Sequence, residues 1–316
     1  GLGVKLRDLN GDVRKARYSF EVKALPKYGF QIVREQCVIE RTCGGRDWFD
    51  RNFSEIRSNR KELKPSIEPN ALVFPLVGGD IRFSTVFKFL SSMRVYAIEP
   101  SRLREMQDPD SGASLRFDGS NAASVLQEIE RQSPEDSQRI CEWLESIVPS
   151  TTKVTPRKHG NKLSLEFSQK WTSSNPTFDA FDMSDGTLRA LGLLLAVFQK
   201  PSPSVLVIEE PEATIHPGAL SAVLDLIRHA ARSMQVVVTT HSPDLLDSNW
   251  ISDDHLRIVS WKDGATRISS VSDATRDALR EHLMGAWELL RSNALTPSLF
   301  DDGDLQQPTL FDEDLE

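Results

Sequence analysis

The chain has 316 residues, of which 39% are hydrophobic and 27% are charged, and its formal net charge at pH 7 is −8. This length allows a large buried core, and the absence of any run of 18 apolar residues argues against a membrane-spanning helix. Seven acids and no Lys or Arg fall within residues 299–316, so that the other 298 residues carry about −1. A nearly neutral body gives no global electrostatic argument for or against nucleic acid as a partner.

Cysteine usage indicates the compartment. Cys37, Cys43 and Cys141 are an odd number of cysteines without a CxxC pair, which is typical of reduced thiols in a cytosolic protein. The N-terminus also lacks a charged segment followed by an apolar one, the pattern of a targeting signal. The sequence therefore predicts a cytoplasmic location and no membrane association.

The first hundred residues predict antiparallel strands with one solvent-facing side. Apolar and polar residues alternate between residues 15 and 40, and further strand-like sequence follows at 48–57. A short helix is expected at 84–92 and another strand at 94–98.

Residues 101–150 differ in character, because they are polar and charged and their apolar residues recur at helical spacing. Two helices are predicted, at 122–131 and 135–148. We interpret this region as a helical insertion, after which strands return at 153–155 and 163–167.

From residue 181 onward, helices and strands alternate. The apolar face of Leu188–Phe198 predicts a helix, and Val205–Ile208, the helix Ala219–Arg232 and Val236–Thr239 predict a βαβ unit. Both strand runs are wholly apolar, which is typical of strands buried on both faces of a parallel sheet.

The last part of the chain predicts a hairpin, a closing helix and a tail. The hairpin joins residues 256–261 and 265–271, and the helix covers 274–290. The acidic segment 291–316 lacks a sustained apolar period, and this combination favours disorder.

Two carboxylates and a histidine follow the strands of the βαβ unit. Glu209 and Glu210 end the first strand, and His241 comes directly after the second. Ligands of open α/β sheets bind at the carboxyl ends of such strands, so we expect the side chains of Glu210 and His241 to lie beside one common triphosphate pocket. Glu209 is suited to hold Mg²⁺ through water, Glu210 to polarise an attacking water, and His241 to donate a hydrogen bond to a phosphate. A solvated acidic turn before Pro211 and an ordinary strand-end histidine are the alternatives.

The segment Met183–Thr187 opens the helix that follows it. Free N–H groups at a helix start bind anions, and Gly186 allows close approach to the backbone. Asp182 and Asp185 would repel an anion, so a plain capping role for Ser184 or Asp185 is the alternative.

Three motifs then occur in a specific order: Ser184-Asp-Gly-Thr-Leu-Arg189, Ile208-Glu-Glu-Pro-Glu-Ala-Thr-Ile-His-Pro217 and Val238-Thr-Thr-His-Ser-Pro-Asp-Leu-Leu246. Their order and spacing resemble RecF/SMC-like ABC-type ATPases, and most closely the AAA-21-type branch related to OLD-family proteins. The resemblance covers residues 181–290, and more weakly 95–100 and 117–121.

The resemblance implies an α/β, ABC-ATPase-type fold with an antiparallel β subdomain, a helical insertion and a parallel-sheet lobe. Five regions are expected: a partial nucleotide-binding lobe (1–100), the insertion (101–150), connecting strands (151–180), the ABC-type lobe (181–290) and the acidic tail (291–316).

The resemblance also implies roles for individual residues. Ser184, Gly186 and Thr187 resemble the signature motif, which contacts ATP held by the opposite protomer. Glu209 takes the place of the Walker B aspartate, Glu210 matches the catalytic glutamate and His241 is similar to the switch histidine. The segment resembling the D-loop at the dimer interface is Ala213, Thr214, Ile215 and His216. Two residues depart from the family pattern. Asp185 stands where transporter-type sequences carry glycine, and Glu209 stands where aspartate is usual.

One element of the family is missing from the sequence. No GxxxxGKS/T motif occurs in the 316 residues, and the nearest candidates, at 78–84 and 160–162, fail on glycine and lysine placement. Family members carry this phosphate-binding loop near the N-terminus, so we expect the chain to be truncated there or to receive the loop from another polypeptide. By itself it should bind ATP poorly and hydrolyse it negligibly.

The resemblance implies a homodimer that closes on two ATP molecules with Mg²⁺ and acts in DNA repair or anti-phage defence. OLD-like proteins add a nuclease, whereas about 26 residues follow Leu290, so we expect any effector to be a separate chain. A catalytically silent interaction module is the main alternative, because the loop is missing.

A DNA-binding clamp is a weaker alternative, because its candidate basic residues are scattered among acids. They are Arg102, Arg104, Arg131, Arg276, Arg280 and Arg291.

The tail contains two related segments and a weak motif match. Ser298-Leu-Phe-Asp-Asp302 is echoed by Thr309-Leu-Phe-Asp-Glu313. Gln307-Pro-Thr-Leu310-Phe311 faintly resembles the peptide that binds bacterial sliding clamps, a match that often arises by chance.

Overall fold

A computed structural model describes residues 2–7, 13–26, 29–41, 44–59, 67–172, 174–248, 250–262, 264–298, 311–313 and 315. The chain divides into two compact units. Unit 1 comprises Gly1–Ser91 and Phe300–Glu316, and unit 2 comprises Ser92–Leu299. No helix among the described residues is long and apolar enough to cross a lipid bilayer.

Unit 1 is built on a five-stranded antiparallel sheet in which each strand pairs with the next along the chain. Its elements are β1 (Leu2–Arg7), β2 (Val13–Ala24), β3 (Phe30–Glu40), β4 (Arg46–Asn52), β5 (Glu55–Ser58), α1 (Phe74–Val77) and α2 (Ser84–Ser91). The antiparallel strands and the helix at 84–92 predicted from the sequence are confirmed.

Alternation along β3 and β4 gives the sheet an apolar face. Cys37 and Phe49 are opposite each other in the β3–β4 register, and both are fully buried. They pack with Phe74 of α1 and Phe83, whose ring meets that of Phe49 edge-on at 5.6 Å between centroids. This face is the core of unit 1.

A charged pair within this unit ties the sheet to the chain that leads into α1. Glu35 and Arg51 lie opposite each other on β3 and β4 and are almost fully buried. The Glu35 carboxylate accepts hydrogen bonds from the Tyr18 hydroxyl (2.9 Å) and from the backbone N–H groups of Val73 (2.6 Å) and Phe74 (2.9 Å). Burial raises the pKa of Glu35, against the opposing effect of these donors and of Arg51.

The Arg51 guanidinium completes this attachment by donating to backbone carbonyls. Its acceptors are Phe53, Glu68, Pro69 and Ala71. A buried guanidinium is stable only when its donors are satisfied, and here carbonyls of the 68–71 loop satisfy most of them.

We expect Glu35→Ala to lower the free energy of unfolding of unit 1 by about 2–4 kcal/mol, because three buried donors lose their acceptor. Denaturant unfolding followed by circular dichroism measures this change. Glu40→Ala, at the exposed end of the same strand, is the matched control. An equal effect of the two substitutions would contradict the attachment described for Glu35.

Unit 2 combines three sheets with helices. Its first half contains β6 (Arg94–Tyr96), α3 (Pro100–Arg104), α4 (Ala122–Gln132), α5 (Pro134–Ile147), β7 (Thr151–His159), β8 (Lys162–Gln169) and β9 (Thr177–Asp179). Its second half contains α6 (Asp185–Phe198), β10 (Val205–Glu209), α7 (Leu220–Ala230), β11 (Gln235–Thr239), β12 (Ile258–Lys262), β13 (Ala265–Ser269), α8 (Asp273–Arg280) and α9 (Ala286–Arg291).

The sheets of unit 2 follow the predicted organisation. β11, β10 and β6 form a parallel sheet in that order, so the predicted βαβ unit is present. β7, β8 and β9 form an antiparallel sheet, and β12 and β13 form the predicted hairpin. Parallel and antiparallel sheets packed with helices confirm the predicted α/β class.

Helix α6 lies at the centre of this core. Apart from Asp185, Gly186 and Arg189, its residues are buried. Gly192 lies so close to Ile98 that a Cβ atom there would come within 2.5 Å of its side chain. At the C-terminal end, the Gln199 amide donates to the Tyr96 hydroxyl at 2.6 Å and accepts from Leu115 N–H at 3.0 Å. The helix is thereby joined to β6 and to the predicted insertion, whose helices α4 and α5 share its core.

The parallel sheet is not buried on both faces, contrary to the expectation from its apolar strands. Val207 is in register with Val95 on one side and Val237 on the other. Val95 is 51% exposed and Val237 is 41% exposed, whereas Leu206 and Ile208 on the opposite face are buried. A continuous apolar run does not distinguish one covered face from two.

The single closing helix predicted at 274–290 is also wrong. Helix α8 ends at Arg280 and α9 begins at Ala286. His282 between them has a positive φ of 54°, and Gly285 N–H donates to the Glu288 carboxylate at 2.8 Å. A glycine and a side-chain cap at this point favour a new helix start over continuation.

The structure contradicts the expectation of disorder for residues 291–316 at two segments. In residues 291–298, the Thr296 carbonyl accepts from Ser272 N–H at 2.9 Å, and Ser298 N–H donates to the Ser270 carbonyl at 3.0 Å. The second segment is 311–313. Phe311, Asp312 and Glu313 are described, and they make specific contacts with β3 and β4. Residues 307–310 of the predicted sliding-clamp motif lie outside the described residues.

Candidate functional site

The register of β10 and β11 determines where the candidate residues emerge. Glu209 pairs with Thr239 at the end of both strands. One residue further, Glu210 N–H donates to the Thr239 carbonyl at 3.0 Å, so the pairing continues beyond the last strand residue. Glu210 has a positive φ of 43°, which is uncommon for a residue other than glycine, and the chain turns there.

This turn brings Glu210 and His241 together. His241 Nε2 lies 4.0 Å from Glu210 Oε1, and the two side chains are 94% and 53% exposed. This distance agrees with the prediction that the side chains after these two parallel strands lie together at one edge of the sheet. The arrangement is an acid and an imidazole that are both open to a solvent-borne ligand.

Glu209 ends β10 beside this pair and is exposed. No cluster of three or more His, Cys, Asp or Glu side chains suited to a metal ion occurs in the part of the chain that the structure describes. The oxygen donors at this edge that suit Mg²⁺ are the carboxylates of Glu209 and Glu210.

A second layer of side chains, which the sequence reasoning did not single out, supports the pair. Thr240 Oγ1 donates to Glu212 Oε1 at 2.5 Å and accepts from Ser242 N–H at 2.9 Å. These bonds tie the chain after β11 to the chain after β10. Thr240 and Glu212 lie inside the motifs quoted above, and each is next to a residue that was assigned a role.

Arg189 of α6 is the other residue of this layer. One of its terminal nitrogens donates to the Glu210 carbonyl at 3.4 Å. Burial lowers the pKa of Arg189, while the nearby carboxylates of Glu210, Glu212 and Asp185 raise it. Among the described residues, Arg189 Nε and Glu212 Oε2 are buried without a hydrogen-bond partner. A buried polar atom without a hydrogen-bond partner is unusual in a folded protein, and a functional role is one explanation for it.

The start of α6 carries the signature-like residues. Ser184 is exposed, and its hydroxyl caps the helix by accepting from Thr187 N–H at 3.2 Å. The capping alternative is therefore realised for Ser184. Thr187 is only 4% exposed, and its hydroxyl lies 2.9 Å from that of Ser184.

Gly186 packs against the segment that resembles a D-loop. A Cβ atom at this position would lie 2.7 Å from the Thr214 carbonyl oxygen. Thr214 has a positive φ of 65° and is exposed, as is His216, whose Nδ1 accepts from Gly218 N–H at 3.1 Å. Within one chain, close packing is thus a sufficient reason for glycine at position 186.

Asp185 does not leave an uncompensated negative charge at the helix start. Arg104 pairs with its carboxylate at 2.6 Å and also donates to the Met183 carbonyl at 2.9 Å. The repulsion of anions expected from Asp185 is correspondingly reduced.

Comparison with known proteins identifies the class. The family model AAA_21, described as "AAA domain, putative AbiEii toxin, Type IV TA system", matches residues 41–247, which is more than half of the 316 residues. The chain belongs to this family. The AAA-21-type resemblance predicted from the three motifs is confirmed. No curated protein matches the sequence.

Solved structures similar to this chain include SMC head domains. One is an SMC head bound to the C-winged-helix domain of ScpA, with 13% identity, a TM-score of 0.45 and coverage of 83% of this chain and 75% of that chain. Another is the SMC head from Thermotoga maritima, with 10% identity, a TM-score of 0.36 and coverage of 82% and 74%. A third comes from work on ATP-driven dimerization of SMC ATPases, with 19% identity, a TM-score of 0.36 and coverage of 50% and 96%.

We expect Gly186→Ala to destabilise unit 2 by about 1–3 kcal/mol, because the new methyl group would overlap the Thr214 carbonyl. Without that overlap, alanine in a helix would be stabilising. Denaturant unfolding measures the change. Gly79→Ala is the control, since a Cβ there meets no atom within 4 Å. Stabilisation by Gly186→Ala would show that the approach of Thr214 does not constrain this position.

Proposed function

We propose that this chain is an ATP-binding and ATP-hydrolysing ABC-type ATPase that acts as an ATP-gated homodimer. The observation that carries the proposal is the 4.0 Å approach of His241 Nε2 to Glu210 Oε1 at the carboxyl ends of adjacent parallel strands. Membership of the AAA_21 family supports it.

Mg²⁺-ATP would supply the phosphoanhydride and a cation that neutralises its charge. Glu210 would hold the attacking water and accept its proton, since its carboxylate is half exposed and its backbone is held by the hydrogen bond to the Thr239 carbonyl. His241 would donate a hydrogen bond to the terminal phosphate, and Glu209 would contact the metal through water.

The opposite side of the nucleotide would come from a second protomer. Ser184 and Gly186, with Thr187 beneath them, would face that ATP, and Ala213–His216 would lie at the interface. Exposure of Ser184, Thr214 and His216 supports this arrangement. The close packing of Gly186 on Thr214 would couple the nucleotide contact to the interface segment.

The phosphates lack a cradle within this sequence, because no GxxxxGKS/T motif occurs in its 316 residues. The carboxylates at the sheet edge would suit the metal and the attacking water, whereas a loop that binds the β- and γ-phosphates would have to come from polypeptide outside these 316 residues.

We expect residues 1–316 by themselves to show negligible steady-state ATP hydrolysis and weak ATP binding, for lack of this loop. Phosphate release and the binding of a fluorescent ATP analogue measure the two quantities. Ordinary ATPase activity of this chain alone would contradict the expectation.

In a preparation that hydrolyses ATP, either the product of the complete gene or this chain with a polypeptide that carries GxxxxGKS/T, we expect Glu210→Gln to lower kcat about 100-fold or more. His241→Ala should reduce kcat about tenfold or more, because a donor to the phosphate is lost. Phosphate-release kinetics measure both effects. The controls are Glu145→Gln and His159→Ala, which alter exposed residues elsewhere in unit 2.

Glu210→Gln should also trap an ATP-dependent dimer, which light scattering detects. Dimerisation that ATP does not influence, with kcat unchanged by Glu210→Gln, would instead favour the second candidate function, a catalytically silent interaction module. The missing loop is the observation that favours this module.

A role in DNA repair or anti-phage defence, with a separate nuclease or other effector chain, is proposed only by analogy with the class. DNA binding through the scattered arginines receives little support, because all six are ion-paired. Their carboxylate partners lie on residues 99, 105, 118, 128, 185, 244, 253 and 273.

The five-region division and the cytoplasmic location are also retained as proposals. The free thiols of Cys37 and Cys141 support a reducing compartment, while Cys43 lies outside the described residues.

A further inference from the structure

The side of unit 1 opposite its core is occupied by the end of the chain. We call this side the outer face, defined by Arg34 and Gln36 of β3 and Arg46, Trp48 and Asp50 of β4. These side chains alternate with the core residues of the two strands. The tail segment, Phe311–Glu313, lies on this face, and each of its residues has a separate contact there.

Gln36 recognises the backbone of the tail segment. Its Oε1 accepts from Asp312 N–H at 2.7 Å, and its Nε2 donates to the Asp312 carbonyl at 3.0 Å. Its Nε2 also lies 3.3 Å from Asp50 Oδ1, and the residue is only 1% exposed. A buried amide with its donor and acceptor both used by one residue of a peptide is a built contact, since each group would otherwise be costly to bury.

Arg34 recognises the aromatic side chain and the second acid. Its guanidinium lies 4.4 Å from the centroid of the Phe311 ring, and Phe311 is 9% exposed. The same guanidinium contacts Glu313 at 2.7 Å and is held by Asp50 at 3.1 Å. Asp50 therefore positions both Arg34 and Gln36 for the tail segment.

Arg46 recognises the first acid, because its Nη1 lies 3.1 Å from Asp312 Oδ2. Beyond it, Leu315 lines a hollow together with Arg46, Trp48 and Asn59. The outer face thus contacts a phenylalanine ring and the two carboxylates that follow it in the sequence. In such a contact, burial of the aromatic ring is expected to contribute most to affinity, and partly exposed ion pairs are expected to add specificity and salt dependence.

The tail contains this pattern twice, as Leu299-Phe-Asp-Asp302 and Leu310-Phe-Asp-Glu313. One outer face holds one such segment, so each chain has one more ligand sequence than binding sites. We propose that the outer face is a binding site for an acidic peptide with a phenylalanine followed by two carboxylates. The tail segment occupies it as an intramolecular ligand. The occupant that exchanges with it is the same kind of segment, a phenylalanine followed by two acids, from the tail of a second copy of this chain.

The site is tested with a fluorescein-labelled peptide of residues 308–316 added to the full chain, with binding followed by fluorescence polarisation. The Phe311→Ala chain should bind this peptide about tenfold or more tightly than the unaltered chain, because its own ligand competes less. Adding Gln36→Glu to Phe311→Ala should abolish binding, since the donor to the Asp312 carbonyl is lost and a carboxylate faces two acids. Phe20→Ala, on the other side of the same sheet, is the chain control.

Two peptide variants test what is recognised. A peptide with alanine for Phe311 should not bind, and a peptide of residues 297–304 should compete with the original. Binding should also weaken as salt is raised. Absence of binding to the Phe311→Ala chain, equal binding to the unaltered and Phe311→Ala chains, or failure of the 297–304 peptide to compete would each overturn the proposed site.

The source of the exchanging occupant is tested by mixing tagged and untagged copies of the full chain without nucleotide. The tagged copy should retain the untagged one, and excess 308–316 peptide should release it. Gln36→Glu in both copies should prevent retention, with circular dichroism confirming that the variant is folded. Copies that do not associate, or an association that neither the peptide nor Gln36→Glu weakens, would overturn a second copy as the occupant. ATP-dependent dimerisation through Glu210 is unaffected by either outcome.

Discussion

The candidate site depends on one constraint, the parallel register of β10 and β11. Because Glu209 pairs with Thr239 and the Glu210 N–H continues the ladder to the Thr239 carbonyl, the chain leaves both strands at the same level. The left-handed backbone of Glu210 then directs its carboxylate toward His241. A shift of one residue in this register would move both groups to other faces and separate them.

Helix α6 connects this edge to the core. Its start carries Ser184 and Gly186, its second turn carries Arg189 toward the Glu210 carbonyl, and its far end is joined to β6 through Gln199. The helix start and the acid that the proposed reaction requires are therefore connected through one largely buried helix. The Gly186–Thr214 contact places the segment proposed for the dimer interface in the same chain of contacts.

Local signals were sufficient for some features and insufficient for others. The wholly apolar strand at 205–208 and the charged residues after it predicted both the strand and the proximity of Glu210 to His241. Apolar content could not reveal that Val95 and Val237 lie on an open face, because exposure depends on what packs there. Helical spacing in 274–290 concealed the break at His282–Gly285, which the Glu288 cap stabilises. Acidity in the tail predicted disorder, and the arginines that bind Asp312 and Glu313 lie more than 260 residues earlier in the sequence.

Sequence alone determined the family, the order of most of the strands and helices, and the candidate acid and imidazole, because periodicity and short motifs record local backbone preferences and chemistry. Tertiary structure alone decided that Arg189 Nε and Glu212 Oε2 are buried beside that pair, that Gly186 packs closely on Thr214, and that Gln36 binds Asp312 while Arg34 binds Phe311. Each of these is a contact between distant residues, and such contacts follow from how elements pack, which no local pattern encodes.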